Sequence, residues 1–437
     1  MSDKPKPGDP DYNIILDKLS WEETPRTIVI GVVGLVPKAG GVFSKLLGLI
    51  WPDPKSAETL IKESEAKMKE WVKLQIEERI AKYDTVKLRN LLEGLRLNLQ
   101  YYCHDPKESW LNNCISSFNL VKPMFLEPED YIGSLPLIQA LGTLHIGLLR
   151  EPVLHFDQIF GANAPEDLRK FHKDQLTATI KEYKDFVVTK AVPKVLEKRK
   201  GQITVGWEKS GSYVQLVDTG RNIRQILNSY DIGQQYKEHY QNECDINLQK
   251  DQVDVALTWP LLDPNSPVKE PIPKDRCVWI GPVGTSQWDY VNNRWGGTLV
   301  NGLKTVQSPI NYILLKHADI LDFILIRDAG PRFDPQGNRR GLMVGNDKGG
   351  AKAEFRVPDG EYIKQIDTYW NYVCVGIQFH YTNGESSAIF GNGGGRPHAE
   401  FKAAYPDHIL RSIAVYGTQA GVSEFYFGFS PNPKTFQ

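Results

Sequence analysis

The chain is poor in the residues and motifs of covalent chemistry. Its five cysteines, Cys103, Cys114, Cys244, Cys277 and Cys374, stand far apart, are odd in number and form no CxxC pair. A reduced compartment during synthesis, with no required disulfide, is the simpler reading of that pattern. The nine histidines do not pair with cysteines at metal-ligand spacing, and HExxH, GxSxG and a phosphate-binding GK[ST] loop are missing. An enzyme, a bound metal or a cofactor is therefore not expected, and acidic pairs such as Glu77-Glu78 read as solubilising. Excess charge is lacking as well. The 52 Lys and Arg stand against 53 Asp and Glu, so nothing favours a polyanion, and nucleic acid is set aside as a partner. The opening MSDKPKPGDPDYN has no apolar stretch of the kind a secretory signal needs. Production in the cytoplasm without a signal peptide is the expectation.

An apolar run of membrane length is missing too. The longest helix-compatible one, LPLIQALGTLHIGLLREPVLHFDQIFG over 135–161, is broken at Arg150, Glu151 and Pro152. From Leu135 to Leu149 it makes a helix of roughly 22 Å, short of the ~30 Å hydrocarbon layer, so it is no resident span. Leu137, Ile138, Leu141, Leu144, Ile146, Leu148 and Leu149 cover nearly the whole circumference, and such a helix is normally enclosed by others. Gln139, Thr143 and His145 interrupt the apolar surface and would let one side tolerate water. The stretch reads as the central helix of a bundle.

A chain of 437 residues exceeds one core and implies two or three domains. Residues 27–51 suggest two short helices split around Pro37 and Gly41. From Lys62 to Tyr102 apolar residues recur at three and four, predicting an amphipathic bundle helix with Glu78 and Lys82 paired on its wet face. A weaker helix over Ser109–Phe125 should end near Pro123. After Pro165, with Glu166 and Asp167 suiting a helix start, Leu168, Phe171, Leu176, Ile180, Tyr183, Phe186 and Val187 point inward as far as Pro193. Residues 201–232 are ambiguous. A last helix from about Gln234 ends at Trp259-Pro260, and the proline-rich LLDPNSPVKEPIPKD reads as a connector. The expected organisation is a tail over 1–24, a helical bundle over 25–262, a linker over 263–276 and a β-rich domain over 277–437.

Beyond Arg276 the pattern turns to strands: Ile324–Ile326, Val373–Tyr381 and Phe425–Phe429. An internal repeat pairs AEF at 353–355 and a segment ending at Ile366 with AEF at 399–401 and a segment ending at Ile413. Glycine clusters at 296–297, 349–350 and 393–395 open three such units. Three similar sheets about an axis make a β-prism.

Several ordered blocks resemble the N-terminal domain of the three-domain Cry δ-endotoxins: GLIWP at 48–52, IEERIAKY at 76–83, LLEGLRLNLQYY at 91–102 and LPLIQALGTLHIGLLRE with the following Gly161. DVALTWPLLDP at 254–264 is similar to the block that closes that domain, although the preceding NECDINLQKDQV lacks the family's paired arginines. The C-terminal part resembles a jacalin-related lectin domain through GPVGTSQWD at 281–289, GEYIKQI, YTNG and IFGNGGG. One departure stands at Gly421-Val-Ser-Glu-Phe, where the lectins' sugar-holding Asp is replaced by Phe425, with Glu424 one residue early. The resemblance implies an N-terminal α-helical bundle followed by a jacalin-like β-prism of three Greek-key sheets, without the family's third domain.

It also implies a pore-forming toxin. The prism would bind a surface receptor, glycoprotein or glycan, on a target-cell membrane outside the producer. A helical hairpin would then enter the bilayer, and a soluble monomer or small oligomer would assemble into a homo-oligomer there. The insertion residues expected are Leu137, Ile138, Leu141, Leu144, His145 and Leu148, with His145 as a pH-sensitive group or a hydrogen-bonded core histidine. Receptor or glycan contacts are expected at Trp295, Trp370, Asn392 and Glu424, and at Arg332, Asp334, Arg339 and Arg340 in the turn-rich loop over 328–341. The competing reading is a jacalin-like agglutinin whose helices only oligomerise it.

Overall fold

The computed structural model describes residues 39–433 apart from 52–55, 73–84, 127–134, 209–210, 212, 221, 228–229, 269–270, 273–275, 285–297, 301–309, 319–320, 329–341, 346–349, 371–373, 392–398 and 419–420. The described chain forms two compact units. One runs up to Gln202 and adds Thr219, Gly220 and Asn247–Ile272; the other holds Ile203–Asp218, Asn222–Ile246 and the residues beyond Ile272. The expected bundle boundary at 262 thus passes over a segment, 203–246, that groups with the sheets.

The first unit is helical: α1 Gly41–Ile50, α2 Ala57–Val72, α3 Thr85–His104, α4 Glu108–Leu126, α5 Leu135–Leu154, α6 Phe156–Phe160, α7 Glu166–Asp185 and α8 Val192–Gly201. A π turn at Phe186–Ala191 joins α7 to α8 just ahead of Pro193, where the missing proline N–H disturbs regular α pairing. Helix α4 runs through Pro123 instead of ending there. Pro123 is exposed near the helix end, where water can take up the carbonyl it frees. Helix α7 buries Leu176, Ile180 and Tyr183, but Phe171 is exposed. The amphipathic stretch expected over 62–102 contains α2 and α3, and residues 73–84 between them lie outside the described residues. A second π turn, Gln249–Val253, leads into α10 Asp254–Thr258 and a 3-10 turn over Trp259–Leu262.

In the second unit, the ambiguous stretch proves to be an antiparallel meander of β1 Ile203–Trp207, β2 Val214–Asp218 and β3 Ile223–Leu227. Ile203, Val214 and Leu216 form a small core with Tyr240 of α9 Tyr230–Leu248. The remaining strands are β4 Val278–Gly284, β5 Thr298–Val300, β6 Ile310–His317, β7 Leu321–Asp328, β8 Leu342–Gly345, β9 Ala351–Arg356, β10 Ile363–Trp370, β11 Cys374–Tyr381, β12 Ala399–Ala404, β13 His408–Thr418 and β14 Gly421–Pro431. They make three antiparallel sheets, ordered β4-β14-β13-β5, β8-β7-β6-β9 and β11-β10-β12. In the second of these β9 returns beside β6 after a β6-β7-β8 meander, a Greek key.

Period-two alternation sends Ile313 and Leu315, Ile377 and Phe379, and Phe425, Phe427 and Phe429 into one shared core, which Ile363 and Ile366 join across a bulge between Ile363 and Gln365. Three sheets facing one core make the β-prism. The two AEF repeats fall on β9 and β12, each an outer strand of its sheet. Each is followed by a turn with a left-handed residue, Gly360 (φ 77°) and Asp407 (φ 56°), before the chain crosses to the next sheet.

Candidate functional site: the central helix and its sheath

Helix α5 is buried along all of Leu135–Pro152. Helices α1, α2, α4 and α7 and the segment over 249–262 pack around it. Its glycines set the closest approaches. A Cβ at Gly142 would meet Tyr183 at 3.2 Å and Trp259 at 3.4 Å, and one at Gly147 would meet Leu46 Cδ2 at 2.6 Å. The missing side chains are what let α1, α7 and Trp259 lie directly on the rod.

Gln139, Thr143, His145 and Glu151 each meet a group outside the rod. Gln252 Nε2 donates to Gln139 Oε1 at 3.3 Å. Trp259 Nε1–H donates to Thr143 Oγ1 at 2.9 Å, and that hydroxyl donates to the Gln139 carbonyl at 2.9 Å. His145 Nδ1 lies 3.3 Å from the Tyr183 hydroxyl, and its ring stacks on Phe118 at 4.4 Å between centroids. Burial, with a smaller push from the Lys122 charge, lowers the His145 pKa to about 3. The imidazole is therefore held neutral in the bundle. At the head of the rod the Leu137 N–H donates to Ser64 Oγ at 3.2 Å.

The expected break at Arg150, Glu151 and Pro152 does not occur, because α5 continues to Leu154 with all three buried. Glu151 Oε2 accepts the Gly40 N–H at 2.6 Å and the Tyr102 hydroxyl at 3.4 Å. Gly40, at φ 77°, is the cap of α1, so this carboxylate sits at the positive end of that helix. Burial nevertheless lifts its pKa to about 7, against the opposing pull of the Gly40 N–H, Arg150 and Tyr102. The same burial lowers the pKa of Arg150. Tyr102 is pushed well above the usual phenol range by burial and by Glu151. Glu151 is the residue that sequence reasoning missed. Its signal was an Arg150–Glu151 pair set in an apolar pattern that resumes at Val153 and Leu154.

Of the expected insertion residues, the structure brings Leu137, Ile138, Leu141, Leu144, His145 and Leu148 together as buried positions of α5. The expected receptor residues fare differently. Trp295, Arg332, Asp334, Arg339, Arg340 and Asn392 lie outside the described residues. Trp370 is corrected: it is a core residue whose indole N–H donates to Thr368 Oγ1 at 2.7 Å and whose ring meets Phe425 edge-on at 6.0 Å. A bulge at Tyr369/Trp370 turns it inward. Glu424 belongs to the body of β14, paired with Tyr416 and Gly284, and not to a loop. Phe425, at the place of the lectins' sugar-holding Asp, is fully buried. No group of metal-ligating side chains occurs among the described residues.

Residues 28–202 fit the model of the delta endotoxin N-terminal domain. The likeness to that family covers this segment, 175 of the 437 residues. Among solved structures, the Bacillus thuringiensis insecticidal crystal protein Cry7Ca1 is 13% identical over 92% of this chain and 74% of its own, with a TM-score of 0.59. The insecticidal delta-endotoxin Cry8Ea1 from the same organism is 14% identical over 94% of this chain and 74% of that one, with a TM-score of 0.59. PirB is 14% identical over 98% of this chain and 96% of its own, with a TM-score of 0.55. At these identities the likeness is one of fold, a delta-endotoxin helical domain followed by a prism. No curated protein matches the chain by sequence.

Proposed function

We propose that this delta-endotoxin-like chain permeabilises target-cell membranes by exposing α5 to lipid. The observation that carries the reading is that a segment fitting the delta endotoxin N-terminal domain holds an apolar helix, α5, enclosed by its neighbours along Leu135–Pro152. The rod suits a protein interior and, once its neighbours swing away, a bilayer in which Gln139, Thr143 and His145 face water. The prism is the part that would bind a surface receptor, and several copies would assemble on the membrane. The agglutinin reading is disfavoured by Phe425, which fills with core what a sugar-binding loop would leave open.

Dye release from liposomes tests the proposal. The wild-type chain should release an entrapped dye. A disulfide tying α1 to α5, through Leu46→Cys with Gly147→Cys, should block release when oxidised and restore it when reduced. Equal release by both forms, or none from the wild type at any pH, would overturn it.

A further inference from the structure

We propose that the Trp207 end of the β1–β2–β3 meander is a lipid-docking tip that seats at the headgroup level of a phospholipid bilayer. The register assembles it. Trp207 pairs with Val214, and Val214 with Leu227, so this rung closes one end of the sheet. Trp207 shares the packed face with Val214, while Tyr213, just before β2, and Ile226, each one residue off the rung, share the opposite face, so the end of the sheet carries a large apolar side chain on both faces. Tyr230 opens α9 four residues after Ile226. All four side chains are turned to solvent, at 60% for Trp207, 48% for Tyr213, 64% for Ile226 and 40% for Tyr230. They account for four of the ten exposed large apolar side chains among the described residues, within 24 positions of sequence. Large apolar side chains exposed this close together are candidates for an interaction site.

The residue types and the rest of the molecule name the occupant. Trp and Tyr carry an apolar ring and a polar tip, the combination enriched where hydrocarbon meets water. The opposite end of the same sheet is ordinary: Ile203 and Leu216 are packed under Tyr240, and Arg224 is exposed on the outer face. The exposed apolar side chains of the sheet thus gather at the Trp207 end, beside the exposed Glu208. The inference rests on the membrane-permeabilising reading and supplies what that reading lacks. Helix α5 is buried all round and offers a bilayer no first contact, whereas the meander tip is an apolar surface already in water.

The test uses the full chain and phosphatidylcholine vesicles, with sedimentation for binding and an entrapped dye for release. Trp207→Ala, Tyr213→Ala and Ile226→Ser together should weaken vesicle binding at least tenfold, with helical circular dichroism and thermal unfolding unchanged. Brominated lipids should quench tryptophan emission of the wild type more than that of Trp207→Phe. Wild-type binding without dye release, lost in the triple variant, would support the docking tip and refute the permeabilising reading. Equal binding of wild type and triple variant, or no wild-type binding, would overturn the docking tip, whatever the dye does.

Discussion

Replacing Glu151 by Gln should flatten the pH dependence of the helical domain. Glu151 is held in the bundle with a pKa of about 7, raised from its ordinary value by burial. Below the ordinary carboxylate range, both folded and unfolded chains carry its proton. Between that range and pH 7 the unfolded chain releases the proton first, so stability falls as pH rises, and above pH 7 the loss is complete. A rise of about 2.5 units corresponds to roughly 3 kcal/mol between pH 4.5 and pH 8. A glutamine at 151 keeps an acceptor oxygen for the Gly40 N–H but has nothing to ionise. The measurement is urea unfolding followed by helical circular dichroism at half-unit steps from pH 5 to 9. The gap between wild type and Glu151→Gln should shift by roughly 3 kcal/mol in the variant's favour across that range. Parallel curves would show that the buried carboxylate does not titrate as its surroundings require.

Gly147→Val should destabilise the helical domain by roughly 1–3 kcal/mol by overpacking against Leu46, read as a lower urea midpoint at unchanged slope. His145 acts at the other end of the pH scale. Its folded pKa of about 3 means that stability is present above the ordinary histidine range and is lost as pH falls toward 3, so His145→Phe should unfold less readily than wild type in acid titrations. Phe425→Ala should cost the prism roughly 3–5 kcal/mol, seen as a lowered prism transition in calorimetry, and leave the helical transition in place.

Much of this was legible because apolar periodicity is a property of the sequence itself. The enclosed rod, the helices either side of it and the strands around Ile324, Ile377 and Phe427 all announce themselves by spacing. What stayed hidden depends on partners distant in sequence. Arg150 and Glu151 read as a helix end until Gly40 and Tyr102 are seen beside the carboxylate, 111 and 49 residues away. Pro123 reads as a stop, but an exposed proline in a last turn displaces little. Trp370 reads as a loop aromatic because a one-residue bulge decides which face it takes, and no propensity records the bulge. The meander over 203–227 was obscured by glycine and serine between short strands, and its core residue Tyr240 comes from a helix that follows it.

The polar partners of α5 carry one more consequence. Leaving the bundle separates Gln139 from Gln252, Thr143 from Trp259, His145 from Tyr183 and Glu151 from Gly40 and Tyr102. A lone rod in hydrocarbon would leave these groups unanswered, at a few kcal/mol each. Rods from several copies can turn the same groups toward a shared aqueous path, so insertion should be favourable only in company. Initial dye-release rates should therefore rise more steeply than the first power of membrane-bound protein. Replacing Gln139 by Leu and Thr143 by Val should bring that order down, since a less polar rod needs fewer companions. A first-order dependence for the wild type would mean that single chains permeabilise, and that the polar residues of α5 serve only the packing of the soluble state.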